Sequence, residues 1–330
     1  MYQIEKCPLP IIWLDTYVMI KIIRFLNNPE KLTASDTAQI SLLYQYLIKG
    51  SAEGKIIVPF AEQGFEIAEN KKDDWFKILK KITLDIMTKG KFDIENNHIR
   101  EGMKGYLNSE NNIELSYLSL FEQDPVDEIR ETLSREFIIF PSFNPYITEP
   151  DVRSSDISSD LLNQERTENL RNNVQIETQL KIEQQKRFTA LKQTLFIHEN
   201  DKLNPYILFG LVSSYYDLLM WNSLHPDNEG QEGLLEFYNS NYYQELPFVN
   251  LECSLLAQLT TSPNNIKPGD IMDIKHISIM MPFSDLFITD KAWSNKLKIL
   301  KCHEIYNTEI IYTGQSEEII NFFEKHNIKI

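Results

Sequence analysis

The chain has 330 residues, with 48 acidic and 33 basic side chains and a formal net charge of −15. This length suffices for one or two domains with a substantial core, and 42% hydrophobic residues exclude a wholly disordered or fibrous chain. The negative charge argues against a protein that coats nucleic acid with its whole surface. It allows a nuclease that combines an acidic metal site with a local basic track.

Targeting and cysteine patterns are those of a soluble protein. The N-terminal residues lack the basic start and apolar stretch of a signal peptide. The most apolar segment, Pro205 to Trp221, contains two serines and an aspartate and is shorter than the roughly 20 residues of a membrane span. Three widely separated cysteines predict neither a disulfide framework nor a zinc ribbon. We therefore expect a cytoplasmic protein without membrane contacts.

The first seventy residues have an α/β pattern. The apolar run Ile11–Leu14 predicts a buried strand that ends at Asp15. A helix follows, and a second helix is predicted from Ser35 to Lys49, with its apolar residues on one face. Lys55–Pro59 predicts another buried strand and Phe60 to Asn70 another helix. This order is typical of a parallel sheet with helical connections.

The middle of the chain, from about residue 73 to residue 259, is predicted to be mostly helical. The predicted helices cover residues 73–89, 114–121, 125–137, 161–196, 205–224 and 231–238. The polar stretch Val152 to Asn173 is either a long solvated helix or a linker, and periodicity does not decide between them. The sequence contains no GxGxxG or GxxxxGK motif, so nucleotide binding through a glycine-rich loop is not expected.

The α/β pattern returns at the end of the chain. A helix is predicted from Ile271 to Met281, and the apolar strand Leu286–Thr289 runs into Asp290. A short helix over residues 291–301, a strand at residues 310–312 and a helix over residues 317–326 complete the chain.

Acidic residues at the predicted strand ends are the candidate functional residues. The candidates are Asp15, Glu62, Glu66, Asp270, Asp273, Asp285 and Asp290. Because the carboxyl ends of parallel strands meet at one edge of a sheet, we expect Asp15, Glu62 and Asp290 to lie close together.

A cluster of carboxylates needs a cation. Two carboxylates ~4 Å apart repel each other by roughly 4 kcal/mol at an effective dielectric constant near 20. Mg²⁺ and Mn²⁺ prefer carboxylate oxygens, and such a metal stabilises negative charge on a phosphodiester. The pattern therefore predicts a Mg²⁺ or Mn²⁺ site and phosphodiester hydrolysis.

Four motifs in this order resemble those of PIN-domain nucleases. Asp15-Thr16 follows the first strand, Glu62 follows the second, Asp273 lies in the first turns of a helix, and the strand of LFITD ends at Asp290. The resemblance covers residues 1–70 and about 250–330. It implies a PIN-like parallel sheet sandwiched by helices, with Asp15, Asp273 and Asp290 as metal ligands and Glu62 as a fourth catalytic acid.

The chain departs from the family pattern beside two of these motifs. Tyr17 stands where the family usually has Asn or Ser, and Thr289 is adjacent to Asp290, where many members place one residue between them. About two hundred residues separate the second and third motifs. We therefore expect a discontinuous PIN-like domain, formed by residues 1–70 and 250–330, that is interrupted by a helical insert domain over residues 71–249.

The third acid of the expected metal site is either Asp270 or Asp273. Asp273 is preferred because His276, one turn later, is placed to orient it or to face the phosphate. Thr289, Lys291 and His276 are the expected substrate contacts. Lysines around the helix after Glu66 and after Asp290 could hold a phosphate backbone, although a solvated helix face gives the same pattern.

The resemblance implies a metal-dependent endonuclease, acting on RNA in preference to DNA, in a setting such as toxin action or phage defence. The helical insert would recognise the substrate or a protein partner. The main alternative is a non-catalytic PIN-like scaffold or interaction protein in which Asp15 and Asp290 only cap helices. A haloacid-dehalogenase-like phosphatase also places Asp after its first strand, but it needs a second Asp where this chain has Tyr17.

Overall fold

The computed structural model describes residues 1–61, 79–134, 152–196, 205–225 and 230–330. These residues form a mixed α/β protein in which helices predominate, in agreement with the predicted α/β class. The strands are β1 (Tyr2–Glu5), β2 (Ile12–Leu14), β3 (Ile113–Ser116), β4 (Leu286–Thr289) and β5 (Glu309–Tyr312). Strands β1 and β3 form a two-stranded sheet, and β2, β4 and β5 form a second sheet.

The helices account for most of the described chain. They are α1 (Thr16–Asn27), α2 (Ala34–Ala52), α3 (Lys91–Leu107), α4 (Pro125–Ser134), α5 (Val152–Arg171), α6 (Ile176–Leu195), α7 (Pro205–Leu224), α8 (Gly230–Asn239), α9 (Asn241–Gln244), α10 (Pro247–Thr261), α11 (Pro268–Met280), α12 (Lys291–Ile299), α13 (Cys302–Ile305) and α14 (Ser316–Lys325). Short 3-10 helices span Pro29–Lys31 and Tyr117–Leu120.

The chain divides into two compact units. The sheet unit comprises Ile4–Lys91, Ser116–Pro150 and Met280–Ile330, and the helical unit comprises Met1–Gln3, Phe92–Leu115 and Asp151–Ile279. Each unit is built from segments that are distant in sequence. Residues 250–279 belong to the helical unit, whereas the sequence pattern had assigned them to the α/β part.

The sheet that carries the candidate site is parallel, with strand order β2-β4-β5. Ile12 pairs with Leu286, and Leu14 pairs with Ile288. The prediction that the strands around residues 11–14 and 286–289 share one sheet is confirmed. The predicted strand Lys55–Pro59 contributes only a parallel bridge between Ile57 and Ile11. Pro59 offers no N–H to extend that ladder.

Both faces of this sheet are buried, as parallel sheets require. Leu14 and Ile288 lie in a core cluster with apolar residues of α1, α2 and α14. Within that cluster Tyr46 of α2 stacks on Phe323 of α14, with ring centroids 4.9 Å apart. On the opposite face, Trp13 and Phe287 are neighbouring partners in the ladder and stack at 6.5 Å.

Two predicted helices of the middle region differ from the observed elements. Residues 114–121 were expected to be helical, but they form the end of β3 and a 3-10 helix. Burial alternates along β3, so its pairing with β1 overrides local helix preference. The predicted helix over residues 161–196 is two helices, because Asn173 takes a left-handed backbone conformation with φ of 49° between α5 and α6. Asn tolerates this conformation better than most residues.

The helix α7 matches the predicted bounds of residues 205–224. Neither α7 nor any other helix in the described ranges is long and apolar enough to cross a membrane.

Candidate metal and active site

Two acids meet at the carboxyl edge of the parallel sheet. Asp15 directly follows β2, and its backbone N–H donates to the carbonyl oxygen of Ile288 in β4 at 3.0 Å. Asp290 directly follows β4. Because β2 and β4 are adjacent and parallel, Asp15 and Asp290 lie at the same edge, as predicted.

Thr289 joins the two strand ends. Its side chain is fully buried, and its hydroxyl donates a hydrogen bond to Oδ2 of Asp15 at 2.5 Å. This buried hydroxyl orients the Asp15 carboxylate. The expected contact of Thr289 with the substrate stays a prediction. A hydrogen bond to a charged acceptor contributes about 1.5–3 kcal/mol.

Asp290 has a structural bond in addition to its place at the edge. Its Oδ1 accepts the backbone N–H of Trp293 at 2.9 Å, so Asp290 is the N-cap of α12. This bond fixes the orientation of the carboxylate relative to the helix. The same bond is the helix cap that Asp290 would provide in a non-catalytic scaffold.

The surroundings of Asp15 disfavour its charge. Burial raises the pKa of the Asp15 carboxyl, and the negative charge of Asp290 raises it further. The Thr289 hydroxyl and the nearby N–H groups of Thr16 and Tyr17 act in the opposite direction. A cation at this edge would remove the repulsion between the two acids and favour the ionised form of Asp15.

An ion pair joins α1 to α2. The Lys21 amine contacts Oδ1 of Asp36 at 2.5 Å and lies 4.6 Å from the centroid of the Tyr17 ring. Asp36 also accepts the hydroxyl of Thr33 at 2.8 Å. Neither Tyr17 nor this ion pair was expected to contribute to the site. The i,i+4 spacing of Tyr17 and Lys21 is the sequence feature that could have indicated them.

Asp285, a secondary candidate, lies at the opposite end of the sheet from Asp15 and Asp290. It precedes β4, and its Oδ2 accepts the backbone N–H of Ile11 at 2.8 Å. The neighbouring Ser284 carbonyl accepts the Lys6 amine at 2.6 Å. Burial raises the pKa of the Asp285 carboxyl. Asp285 therefore fastens the amino ends of β2 and β4.

The other predicted acids lie in the helical unit or outside the described residues. Asp270, Asp273 and His276 belong to α11, and the Asp270 carboxylate accepts the backbone N–H of Lys267 at 2.8 Å. Asp273 and His276 are half-buried. That Asp273 shares a pocket with Asp15 stays a prediction, as does the preference for Asp273 over Asp270. Glu62 and Glu66 lie outside the described residues.

The two described acids fit a hard divalent cation. Mg²⁺ is commonly held by one or two carboxylates and keeps several waters. Asp15 and Asp290 are carboxylates close enough for the charge of Asp290 to raise the pKa of Asp15. Within the part of the chain that the structure describes, no three His, Cys, Asp or Glu side chains are grouped to hold a metal ion.

The helical unit contains a separate buried acid that sequence reasoning did not select. Asp217 of α7 is 3% exposed, and its Oδ2 accepts the hydroxyl of Tyr238 at 2.6 Å. Burial raises the pKa of Asp217 to about 6, although the hydrogen bond from Tyr238 acts to lower it. Nearby, Arg187 of α6 binds Glu252 at 2.7 Å and the hydroxyl of Tyr243 at 3.1 Å. The sequence feature that could have indicated Asp217 is the presence of an aspartate in a largely apolar helix.

Comparisons with protein-family models, curated proteins and solved structures find no match to this chain. The resemblance to PIN-domain nucleases therefore depends on the four motifs, of which the first and last lie at one sheet edge.

Proposed function

We propose that this chain is a Mg²⁺- or Mn²⁺-dependent nuclease that hydrolyses phosphodiester bonds, with RNA preferred to DNA. The observation that carries the proposal is the placement of Asp15 and Asp290 at the carboxyl ends of adjacent parallel strands. Ligands bind at this edge in open parallel sheets. We further propose that the sheet unit is a PIN-like domain, which the parallel pairing of the first and last motif strands supports.

The metal would supply charge neutralisation and stabilise the negative charge that develops on the phosphodiester. Asp15 and Asp290 would hold it through carboxylate oxygens. Thr289 orients Asp15 and favours its ionised form, because its hydroxyl donates to Oδ2. The bond from the Trp293 N–H holds Asp290 in place. Both acids thus enter the reaction in fixed orientations, which lowers the entropy cost of assembling the site.

Lysines beside the acids support a nucleic-acid substrate. Lys291 follows Asp290 directly, is exposed and lies 5.9 Å from the centroid of the Tyr312 ring. Lys296 and Lys298 lie in the last turn of the same helix, at the end opposite to Asp290. In an acidic protein, an exposed lysine at the proposed site attracts the phosphate backbone. Asp273, His276 and Glu62 remain proposed members of the site, and the helical unit is the proposed recognition module.

Cleavage of labelled RNA and DNA, with Mg²⁺, with Mn²⁺ and with a chelator, tests this function. We expect metal-dependent cleavage, faster on RNA, and cutting of a circular RNA because the proposed activity is endonucleolytic. Asp15→Asn and Asp290→Asn should each reduce the rate by more than about 100-fold, since even outer-shell partners of a catalytic metal contribute about 10–100-fold.

The matched control is Asp285→Asn, which makes the same chemical change at the opposite end of the same sheet. It should leave metal-dependent cleavage near the native rate. A native protein that cuts neither nucleic acid in either metal, or an Asp15→Asn variant that cuts at the native rate, contradicts the proposal.

The capping bond of Asp290 favours one competing function, a non-catalytic scaffold. In that case Asp290→Asn would change only the stability of α12, and divalent metals would leave the native protein unaffected. Thermal unfolding with and without Mn²⁺ separates the two functions without any need for a substrate.

A further inference from the structure

Tyr17 is an aromatic side chain at the same sheet edge as the candidate acids. It follows Asp15 by two residues and lies in the first turn of α1, which begins where β2 ends. Despite its size it is 43% exposed, while its neighbours Thr16 and Val18 are buried. A large aromatic surface is therefore open to solvent beside the proposed reaction site.

The Tyr17 ring is supported from within the protein. The Lys21 amine lies 4.6 Å from the ring centroid, within the range of a cation–π interaction. Lys21 is only 8% exposed, and its amine is held by Asp36 at 2.5 Å. The Thr33 hydroxyl donates to the Asp36 carboxylate and accepts the backbone N–H of Asp36, so Thr33 is the N-cap of α2. This chain of contacts fixes the ring relative to α1 and α2 while leaving part of its surface exposed.

We propose that Tyr17 stacks on an unpaired base of the substrate and thereby selects single-stranded over duplex nucleic acid. The inference rests on the proposed function, because it takes the phosphodiester at Asp15 and Asp290 as the point of attack. Every base has a π face, so stacking on an aromatic side chain tolerates any sequence. Bases within a duplex are already stacked on their neighbours and do not offer that face.

Charge at the same edge agrees with such a substrate. Lys291 is exposed next to Asp290, and it lies near the ring of Tyr312 at the end of β5. The edge thus combines an open aromatic ring with a cation that can contact the phosphate backbone. This combination of stacking surface and positive charge is the one that single-stranded nucleic acids require.

Binding of a short unpaired RNA tests the inference. It is measured by fluorescence anisotropy in an Asp15→Asn background, so that the RNA is not cut. Tyr17→Ala should weaken binding by about 5- to 150-fold, the equivalent of ~1–3 kcal/mol for one stacked base. Tyr17→Phe should bind like the parent because it retains the ring. Ile305→Ala, which removes a 66% exposed apolar side chain of α13 in the sheet unit, should also bind like the parent.

Binding of duplex RNA by the same variants is measured in the same way. We expect the parent to bind duplex more weakly than single strands, and Tyr17→Ala to remove most of that preference. Unchanged thermal unfolding of Tyr17→Ala would show that an exposed side chain has been removed without damage to the fold. Equal RNA binding by Tyr17→Ala and the parent overturns the inference, as does a parent protein that binds no RNA.

The two proposals fail separately. If the native protein cleaves RNA and Tyr17→Ala cleaves with an unchanged KM, the nuclease stands and the stacking role is wrong. If Tyr17-dependent RNA binding is found without metal-dependent cleavage, the stacking role stands and the nuclease proposal is wrong.

Discussion

Thr289 connects the two strand ends through a single hydroxyl group. The Thr289→Val variant keeps the shape of this fully buried side chain and removes its hydrogen bond to Asp15. Because the Asp15 carboxylate loses a donor, its pKa should rise further, and the ionised form that binds a cation becomes less favourable. We expect Mn²⁺ affinity to fall about 10- to 100-fold, measured by calorimetric titration.

Thr289→Ser is the matched control for that substitution. It retains the hydroxyl donor and should recover most of the metal affinity. If Thr289→Val and Thr289→Ser bind Mn²⁺ equally well, Thr289 has only a packing role.

At the scale of the elements, the amino ends of β2 and β4 depend on Asp285. In Asp285→Ala the buried N–H of Ile11 loses its acceptor, and an unsatisfied buried donor costs about 1–3 kcal/mol. We expect the free energy of unfolding to fall by about that amount in denaturant titrations. Asp285→Asn should be milder, because a carboxamide oxygen can still accept the hydrogen bond.

The Mn²⁺ response of both Asp285 variants should match that of the native protein. Loss of that response in Asp285→Asn would return Asp285 to the set of metal ligands and contradict its assignment to the opposite end of the sheet.

At the scale of the whole molecule, acids with raised pKa values make stability depend on pH. The pKa of Asp217 is raised to about 6, and that of Asp15 is raised as well. A carboxyl with a raised folded-state pKa favours folding most when it is protonated, so metal-free stability should fall as pH increases. For Asp217 the loss occurs between about pH 4 and pH 6 and reaches up to roughly 3 kcal/mol. Asp217→Asn should remove this part in thermal unfolding measured from acid to neutral pH.

Divalent metal should affect stability through Asp15. At 100 times its dissociation constant, a metal that binds only the folded state adds about 2.7 kcal/mol of stability. We expect Mn²⁺ to raise the unfolding temperature of the native protein and of Asp217→Asn, and to have little effect on Asp15→Asn. In the absence of metal, Asp15→Asn should be as stable as the native protein at neutral pH, or more stable. An equal Mn²⁺ effect in Asp15→Asn would place the metal elsewhere.

Local patterns of apolar residues were sufficient to predict several elements. The strands at residues 11–14 and 286–289, and the helix α7, were predicted close to their observed bounds. Each of the two strands is a short segment whose burial is evident from its own composition, so no distant partner is needed to recognise it. The positions of Asp15 and Asp290 at strand ends followed directly from those bounds.

Contacts between distant segments were decided only by the tertiary structure. The Thr289–Asp15 bond joins residues 274 positions apart, and the Asp285–Ile11 bond spans the same separation. The local sequence predicts that these residues lie in or beside strands. It does not predict the register between β2 and β4, which places the Thr289 hydroxyl at Asp15 and the Ile11 N–H at Asp285. Residues 113–116 form a strand for the same reason, since their pairing with β1 outweighs local helix preference. The pattern of apolar residues indicates which positions of a segment are buried. Which strand or helix the segment packs against depends on residues elsewhere in the chain.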